Sequence, residues 1–148
     1  MKLPEILEGK RILVADDDTV SHLLIQDILM DYNVELFFVS NGLEAVRHVS
    51  NNPVDIVLMD IRMPIMNGFE ASGRIKSTNP GVKILIQTAF PKEYQHDALF
   101  KGMIDGILAK PIRKKRLIEE LVNLYEPNKN FIEEQSGSVF ARFFTGLF

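Results

Sequence analysis

The feature that most constrains the fold is a regular alternation between short apolar runs and stretches with helical periodicity. Five runs rich in branched residues lie near positions 11–15, 34–39, 54–59, 82–87 and 106–109. Between these runs, apolar residues recur at the spacing of one helix face. Strands that alternate with helices build a mainly parallel sheet, because each crossover helix returns the chain to the same edge. The pattern therefore predicts an α/β fold with a five-stranded parallel sheet, doubly wound with helices on both faces.

Helices are predicted between these runs, at about 19–31, 41–49, 69–77 and 91–101, with a last helix opened by Pro111. In the first helix, the apolar residues at helical spacing are Val20, Leu23, Leu24, Ile28 and either Leu29 or Met30. We expect these residues to face the core. In the last helix, the corresponding apolar stripe consists of Leu117, Ile118, Leu121, Val122 and Tyr125.

Chain length and turn signals predict the domain organisation. A chain of 148 residues, 46% of them apolar, can bury one core, so we expect a single domain. We place this domain at residues 10–126, after an N-terminal arm at residues 1–9. The C-terminal tail at residues 127–148 carries phenylalanines at helical spacing. We interpret the tail as a short amphipathic helix or a truncated linker.

Composition disfavours several classes of protein. No apolar run approaches the roughly 18 residues of a membrane-spanning helix. The chain has no cysteine, which excludes disulfides and thiolate metal sites, and its net charge of -3 disfavours direct binding to nucleic acid. We therefore expect a cytoplasmic protein with no membrane span and no direct nucleic-acid partner.

Polar side chains follow four of the predicted strands, where each strand ends. Asp16 and Asp17 follow the first run, Asp60 the third, Thr88 the fourth and Lys110 the fifth. Parallel strands end at one edge of the sheet, which is where such sheets bind ligands. If the reaction is phosphoryl transfer onto a carboxylate, Asp60 is the nucleophile, and Asp16 and Asp17 supply oxygen ligands for Mg²⁺. Lys110 then neutralises charge on the phosphoryl oxygens, and Thr88 donates a hydrogen bond to one of them.

Four stretches of the chain together resemble the receiver domain of two-component response regulators. They are residues 11–18 (RILVADDD), 55–68 (DIVLMDIRMPIMNG), 87–89 (QTA) and 108–112 (LAKPI). The resemblance covers about residues 10–125 and implies a flavodoxin-like (βα)5 fold. The stretch before residue 12 and the LAKPI stretch look like receivers of hybrid sensor kinases, so both a stand-alone regulator and a fragment of such a kinase stay open.

The resemblance also implies site roles. Asp60 would be the phosphoacceptor, with Thr88 and Lys110 as the phosphate-sensing hydroxyl and lysine. Asp16, Asp17, Asp60 and the backbone carbonyl of Arg62 would hold Mg²⁺, with Mn²⁺ as an alternative ion.

In function, the resemblance implies a phosphoryl-accepting switch and not an enzyme with a free substrate. A sensor histidine kinase or a histidine phosphotransfer domain would supply the phosphoryl group from a phosphohistidine. Phosphorylation would then change binding to a downstream protein, with a homodimer as an open alternative.

Two other functions remain as alternatives. The first is a receiver-like docking module without phosphotransfer, which the intact set of five site residues disfavours. The second is a Mg²⁺-dependent phosphatase that forms an aspartyl phosphate. The sequence shows neither the additional acid near the nucleophile nor the substrate-capping insertion that such a phosphatase would need.

The chain also departs from the family pattern near the site. Ile107 stands three residues before Lys110, where the family often has Tyr or Phe, so an aromatic rotamer switch is not expected. Phe90 lies where its side chain could overhang Asp60, and we expect it to slow hydrolysis of the phosphoaspartate by excluding water. The three histidines, His22, His48 and His96, show no ligand or triad spacing and are interpreted as surface or half-buried helix residues.

Overall fold

The predicted parallel sheet is present in the structure, a computed structural model that describes residues 3–93 and 102–126. Five parallel strands of the described residues form one sheet in the order β2-β1-β3-β4-β5. The strands are β1 (Arg11–Ala15), β2 (Glu35–Val39), β3 (Ile56–Asp60), β4 (Lys83–Thr88) and β5 (Gly106–Ala109). The order reverses at β1, which pairs with β2 on one side and with β3 on the other. The carboxyl ends of β1 and β3 therefore lie side by side.

Within the described part of the chain, five α-helices precede, connect or follow these strands. They are α1 (Leu3–Leu7), α2 (Thr19–Leu29), α3 (Gly42–Asn51), α4 (Gly68–Thr78) and α5 (Lys114–Asn123). The helix predicted at 91–101 begins as a short 3₁₀ helix, Pro91–Glu93, and its remainder lies outside the described residues. The C-terminal tail that was interpreted as a helix or linker also lies outside them. None of the described helices is both long and apolar enough to cross a bilayer.

Side-chain caps begin three of these helices, each in the loop that follows a strand. Asp18 caps α2 by accepting a hydrogen bond from the backbone N–H of Val20 at 2.9 Å. Asn41 and Asn67 cap α3 and α4 in the same way. Such caps satisfy backbone donors that a helix leaves unpaired at its first turn. The caps therefore hold the loops that leave the carboxyl edge of the sheet.

Each face of the sheet packs against helices and forms its own core. α3 and α4 cover one face, where Ala45, Val49, Ala71 and Ile75 are buried. α2 and α5 cover the other face together with Leu7 of α1, which has no exposed surface. Strand β3 is buried at all five positions, as expected for a parallel strand that is covered on both sides.

The face by which α2 packs on the sheet differs from the predicted one. Its buried residues are Ile25, Ile28 and Leu29. Three residues that were predicted on the packed face are exposed, by 68% at Val20, 66% at Leu23 and 40% at Leu24. Of the two alternatives for the last position, Leu29 is buried and Met30 is 71% exposed. The prediction was wrong for Val20, Leu23 and Leu24 because apolar residues occupy most of the circumference of α2. Spacing alone could not choose between overlapping stripes, and the sheet covers the one that contains Ile25.

Candidate functional site

The five predicted site residues lie where the strands end. Asp16 and Asp17 follow β1, Asp60 and Thr88 are the last residues of β3 and β4, and Lys110 follows β5. The β3–β4 pairing places Asp60 opposite the residue before Thr88. The backbone N–H of Lys110 donates to the carbonyl oxygen of Thr88 at 2.8 Å. The predicted convergence of these positions at one sheet edge is therefore observed.

Three carboxylates form a compact cluster at this edge. Asp16, Asp17 and Asp60 each offer an oxygen, and these oxygens lie within 4.8 Å of one another. Asp16 has no exposed surface and Asp60 is 9% exposed, whereas Asp17 is exposed to solvent. Buried carboxylates at this spacing repel one another unless a cation compensates them. The cluster therefore has the donor set and the open side that a hard divalent cation requires.

Lys110 supplies part of the compensating charge. Its ammonium Nζ lies 2.9 Å from Oδ2 of Asp16 and 3.6 Å from Oδ2 of Asp60. Three carboxylates against one ammonium leave a formal charge of -2 (-3 + 1). That remainder matches the charge of one Mg²⁺ ion. The residues present therefore fit the ion that the resemblance implies.

Burial and the neighbouring charges shift the pKa of two groups in the cluster. Burial raises the pKa of Asp60 to about 6, and the charges of Asp16 and Asp17 add to the rise, while Lys110 and the N–H of Ile61 oppose it. Burial lowers the pKa of Lys110, but its hydrogen bond to Asp16 and the two nearby carboxylate charges outweigh burial, so that its pKa is raised. Lys110 is therefore a stable cation, and a further positive charge at the cluster would favour the ionised form of Asp60.

Backbone donors fix the direction of two carboxylates. The N–H of Asp18 donates to Oδ1 of Asp16 at 2.9 Å, and the N–H of Ile61 donates to Oδ1 of Asp60 at 2.9 Å. In both residues the other oxygen, Oδ2, is the one that faces Lys110. These two hydrogen bonds therefore orient both carboxylates so that one oxygen of each lies near the Lys110 ammonium.

Two glycines bring the helices close to the loop that follows Asp60. The N–H of Gly68, at the start of α4, donates to the carbonyl oxygen of Ile61 at 2.8 Å. A β-carbon at Gly68 would collide with the carbonyl oxygen of Asp60, and one at Gly42 would collide with that of Met66. In the sequence analysis, Gly68 appears only as the last residue of the 55–68 stretch. Its position, eight residues after a strand-terminal aspartate and directly at a helix start, is the signal that could have revealed the close approach.

Arg62 and Phe90, which stand two residues after Asp60 and Thr88, contact each other. The guanidinium carbon of Arg62 is 5.0 Å from the centre of the Phe90 ring, in the range of a cation–π contact. The N–H of Phe90 donates to Oγ1 of Thr88 at 3.0 Å, which ties Phe90 to the end of β4. Phe90 is 49% exposed. The metal-ligand role of the Arg62 backbone carbonyl stays a prediction.

The histidines differ from one another more than sequence reasoning anticipated. His22 and His48 are half-buried helix residues, as interpreted, and His96 lies outside the described residues. His22 also lies 2.7 Å through Nε2 from the backbone carbonyl oxygen of Asp16. The spacing of the histidines could not predict this contact, because its partner is a backbone carbonyl and not a side chain. Ile107, at the position where an aromatic residue was considered, is buried in the α3–α4 side of the core.

Comparison with curated proteins finds matches along most of the chain. Residues 12–122 match the family described as response regulator receiver domain. The chain is 37% identical over 121 residues to the autoinducer 1 sensor kinase/phosphatase LuxN of Vibrio campbellii, a match that covers 82% of this chain and 14% of LuxN. It is 32% identical over 114 residues to the chemotaxis protein CheY of Thermotoga maritima, covering 76% of this chain and 95% of CheY. The chain thus spans a small part of one relative and nearly all of the other.

Solved structures share the fold. The response regulator TrrA of Thermotoga maritima, in complex with Mg²⁺ and BeF, has a TM-score of 0.71 at 30% identity, over 78% of this chain and 98% of TrrA. The receiver domain of a sensor histidine kinase from Pseudomonas aeruginosa holds a magnesium ion in its active-site cleft. It has a TM-score of 0.68 at 27% identity, over 78% of this chain and 95% of that one. The predicted flavodoxin-like architecture is therefore confirmed.

Proposed function

Because this chain belongs to the response regulator receiver domain family, we propose that it is a phosphoryl-accepting switch of two-component signalling in which Asp60 is the acceptor. The observation that carries the proposal is the carboxylate cluster of Asp16, Asp17 and Asp60, with Lys110 between two of its members. A receiver domain works by changing its binding to a partner, so we assign it a regulatory role and not metabolic turnover.

The proposed reaction transfers a phosphoryl group from a phosphohistidine. An oxygen of the Asp60 carboxylate attacks phosphorus, the O–P bond forms as the N–P bond breaks, and the imidazole keeps the electron pair and takes a proton from solvent. Asp16, Asp17, Asp60 and the Arg62 carbonyl would hold Mg²⁺, which supplies charge neutralisation for the phosphoryl oxygens. TrrA and the Pseudomonas aeruginosa receiver, which both contain magnesium, support this assignment, whereas nothing comparable supports Mn²⁺.

We assign the binding of the transferred group to Lys110 and Thr88. The ammonium of Lys110 already lies 3.6 Å from Asp60, so a short movement away from Asp16 would pair it with a phosphoryl oxygen. The hydroxyl of Thr88 accepts from Phe90 and keeps its own hydrogen to donate. Both contacts would exist only after transfer. They would therefore favour a different arrangement of the ends of β4 and β5 in the phosphorylated protein.

The proposed phosphodonor is a sensor histidine kinase or a histidine phosphotransfer domain. The exposed apolar side of α2, which includes Val20, Leu23 and Leu24, supports this proposal. These side chains belong to α2, which begins directly after Asp16, Asp17 and Asp18. Exposed apolar faces of helices commonly bind a partner helix. We propose residues 10–126 as the receiver domain, either as a stand-alone regulator or within a hybrid kinase.

The test is the intact mass of the protein after incubation with acetyl phosphate. We expect a gain of one phosphoryl group in the presence of Mg²⁺ and no gain when a chelator removes the ion. No gain under either condition would favour the docking module. Continuous release of phosphate from a free ester such as p-nitrophenyl phosphate, with catalytic turnover, would favour the phosphatase.

Removal of the Phe90 side chain is expected to shorten the life of the phosphoaspartate. The ring contacts Arg62, two residues after Asp60, so we expect Phe90→Ala to admit water and to speed dephosphorylation by about three- to ten-fold. The rate is measured as the loss of the phosphoryl mass after acetyl phosphate is removed. Phe90→Leu, which keeps bulk but not the ring, separates shielding from the cation–π contact. An unchanged or slower rate in Phe90→Ala would contradict a shielding role.

A further inference from the structure

His22, in the first turn of α2, contacts two other elements at once. Its Nε2 atom lies 2.7 Å from the backbone carbonyl oxygen of Asp16, in the turn between β1 and α2. Its ring lies 5.0 Å from the ring of Phe38 in β2, at an interplanar angle of 38°. A carbonyl oxygen only accepts hydrogen bonds, so Nε2 must carry the hydrogen that is shared with Asp16. The imidazole therefore links the turn that contains Asp16 and Asp17 to β2, the edge strand of the sheet.

Backbone and side-chain atoms of Asp16 are held by separate hydrogen bonds. Its N–H donates to the carbonyl oxygen of Val39 at 3.1 Å, and its Oδ1 accepts from the N–H of Asp18 at 2.9 Å. The His22 bond fixes the third group of this residue, its carbonyl oxygen. That carbonyl belongs to the peptide group that joins Asp16 to Asp17, so its direction restrains the backbone from which the Asp17 side chain leaves.

We infer that His22 is a positioning residue for the cation site: its Nε2–H holds the Asp16–Asp17 peptide so that both carboxylates meet Asp60 at the spacing a divalent ion needs. The inference deepens the proposed function and rests on it. His22 itself contributes no ligand atom. It acts through Asp16, whose carbonyl it binds, in the way that outer hydrogen-bond partners orient the ligands of metal sites.

A second histidine provides the comparison that separates this role from simple packing. His48 of α3 pairs with Phe37 of β2 at 5.1 Å and 45°, nearly the same ring geometry as His22 with Phe38. Among the described residues, however, Nε2 of His48 has no hydrogen-bond partner. The ring contact with Phe37 is the side-chain interaction that the structure shows for His48. Such a contact does not account for the bond from His22 to Asp16.

The experiment is calorimetric titration of the full chain with Mg²⁺ alone, with thermal unfolding measured in parallel. His22→Phe keeps a ring against Phe38 but removes the donor, and we expect it to weaken Mg²⁺ binding by about five- to ten-fold, the effect of one lost hydrogen bond. His22→Gln places an amide N–H at a similar reach and is expected to restore most of the affinity. His48→Phe is expected to leave the affinity for Mg²⁺ unchanged, whatever its effect on the melting temperature.

Each result bears on the inference. An unchanged affinity in His22→Phe would overturn it, as would a His22→Gln variant that binds as weakly as His22→Phe. Equal weakening in His48→Phe would reduce the effect to general packing and would also overturn it. If His22→Phe does not fold, His22→Leu gives the same donor-free comparison. A wild-type protein that binds no Mg²⁺ would overturn the cation site itself and this inference with it, a result distinct from failure of the variant alone.

Discussion

Replacement of Asp60 by asparagine is expected to abolish phosphoryl labelling and, without Mg²⁺, to raise the free energy of unfolding at pH 8. The amide cannot accept the phosphoryl group, so the gain in mass disappears. The stability gain has a separate cause, because burial and the charges of Asp16 and Asp17 raise the pKa of Asp60 to about 6. The folded protein therefore disfavours the ionised carboxylate.

The dependence of this gain on pH follows from linkage. Below about pH 4, Asp60 is protonated in both the folded and the unfolded state, and the variant and the wild type should be equally stable. As the pH rises through about 6, the wild-type protein loses stability that the variant keeps. We expect the difference to reach about 1–3 kcal/mol at pH 8. Urea denaturation with a chelator at pH 5 and pH 8 measures it.

Asp55→Asn is the matched control for this variant. Asp55 precedes the other end of β3, where its carboxylate pairs with Arg11 at 3.0 Å. The control removes the same charge from the same strand region and should still accept one phosphoryl group. Mg²⁺ should raise the free energy of unfolding more in Asp55→Asn than in Asp60→Asn. Labelling of Asp60→Asn at the wild-type level would show that another residue is the acceptor.

Substitution of Gly68 by alanine is expected to damage both stability and labelling. The added β-carbon would meet the carbonyl oxygen of Asp60, and backbone cannot move aside as a flexible side chain can. Either α4 shifts outward or the end of β3 is displaced. We expect a loss of about 2–4 kcal/mol in the free energy of unfolding. Because the collision involves the acceptor residue itself, labelling by acetyl phosphate should also slow by about ten- to a hundred-fold.

Gly81→Ala provides the comparison for Gly68→Ala. A β-carbon at Gly81 has no atom within 4 Å among the described residues, so its effect on stability should stay within about 0.5 kcal/mol. Denaturant titration and the rate of mass gain are measured on both variants. Gly68→Ala behaving like Gly81→Ala would contradict the proposed contact between α4 and β3.

Sequence pattern alone predicted the sheet well, because strand and helix periods differ and turn residues separate them. The strands Arg11–Ala15 and Gly106–Ala109 were predicted with their observed bounds, and Ile56–Asp60 was displaced by one or two residues. The chemistry of the site was also accessible, because parallel strands bring their carboxyl ends to one edge. The roles assigned to these residues remain to be tested by the experiments above.

Features that depend on how closely two elements pack were harder to predict from the sequence. The buried side of α2 was misassigned because several apolar stripes compete on one helix, and only the sheet decides between them. The bond from His22 to the Asp16 carbonyl leaves no side-chain motif in the sequence. The tight contact at Gly68 depends on how closely α4 approaches β3, a distance that local propensity does not encode.

The three consecutive aspartates after β1 have different surroundings although their side chains are identical. Asp16 turns inward to Lys110, Asp17 stands in solvent at the mouth of the site, and Asp18 caps α2 through its Oδ1 atom. In a saturation mutagenesis screen, the same substitution should therefore have different effects at positions 16, 17 and 18. Glutamate, which is one methylene longer, should be tolerated least at the buried Asp16. Serine or asparagine, which also cap helices, should be tolerated best at Asp18.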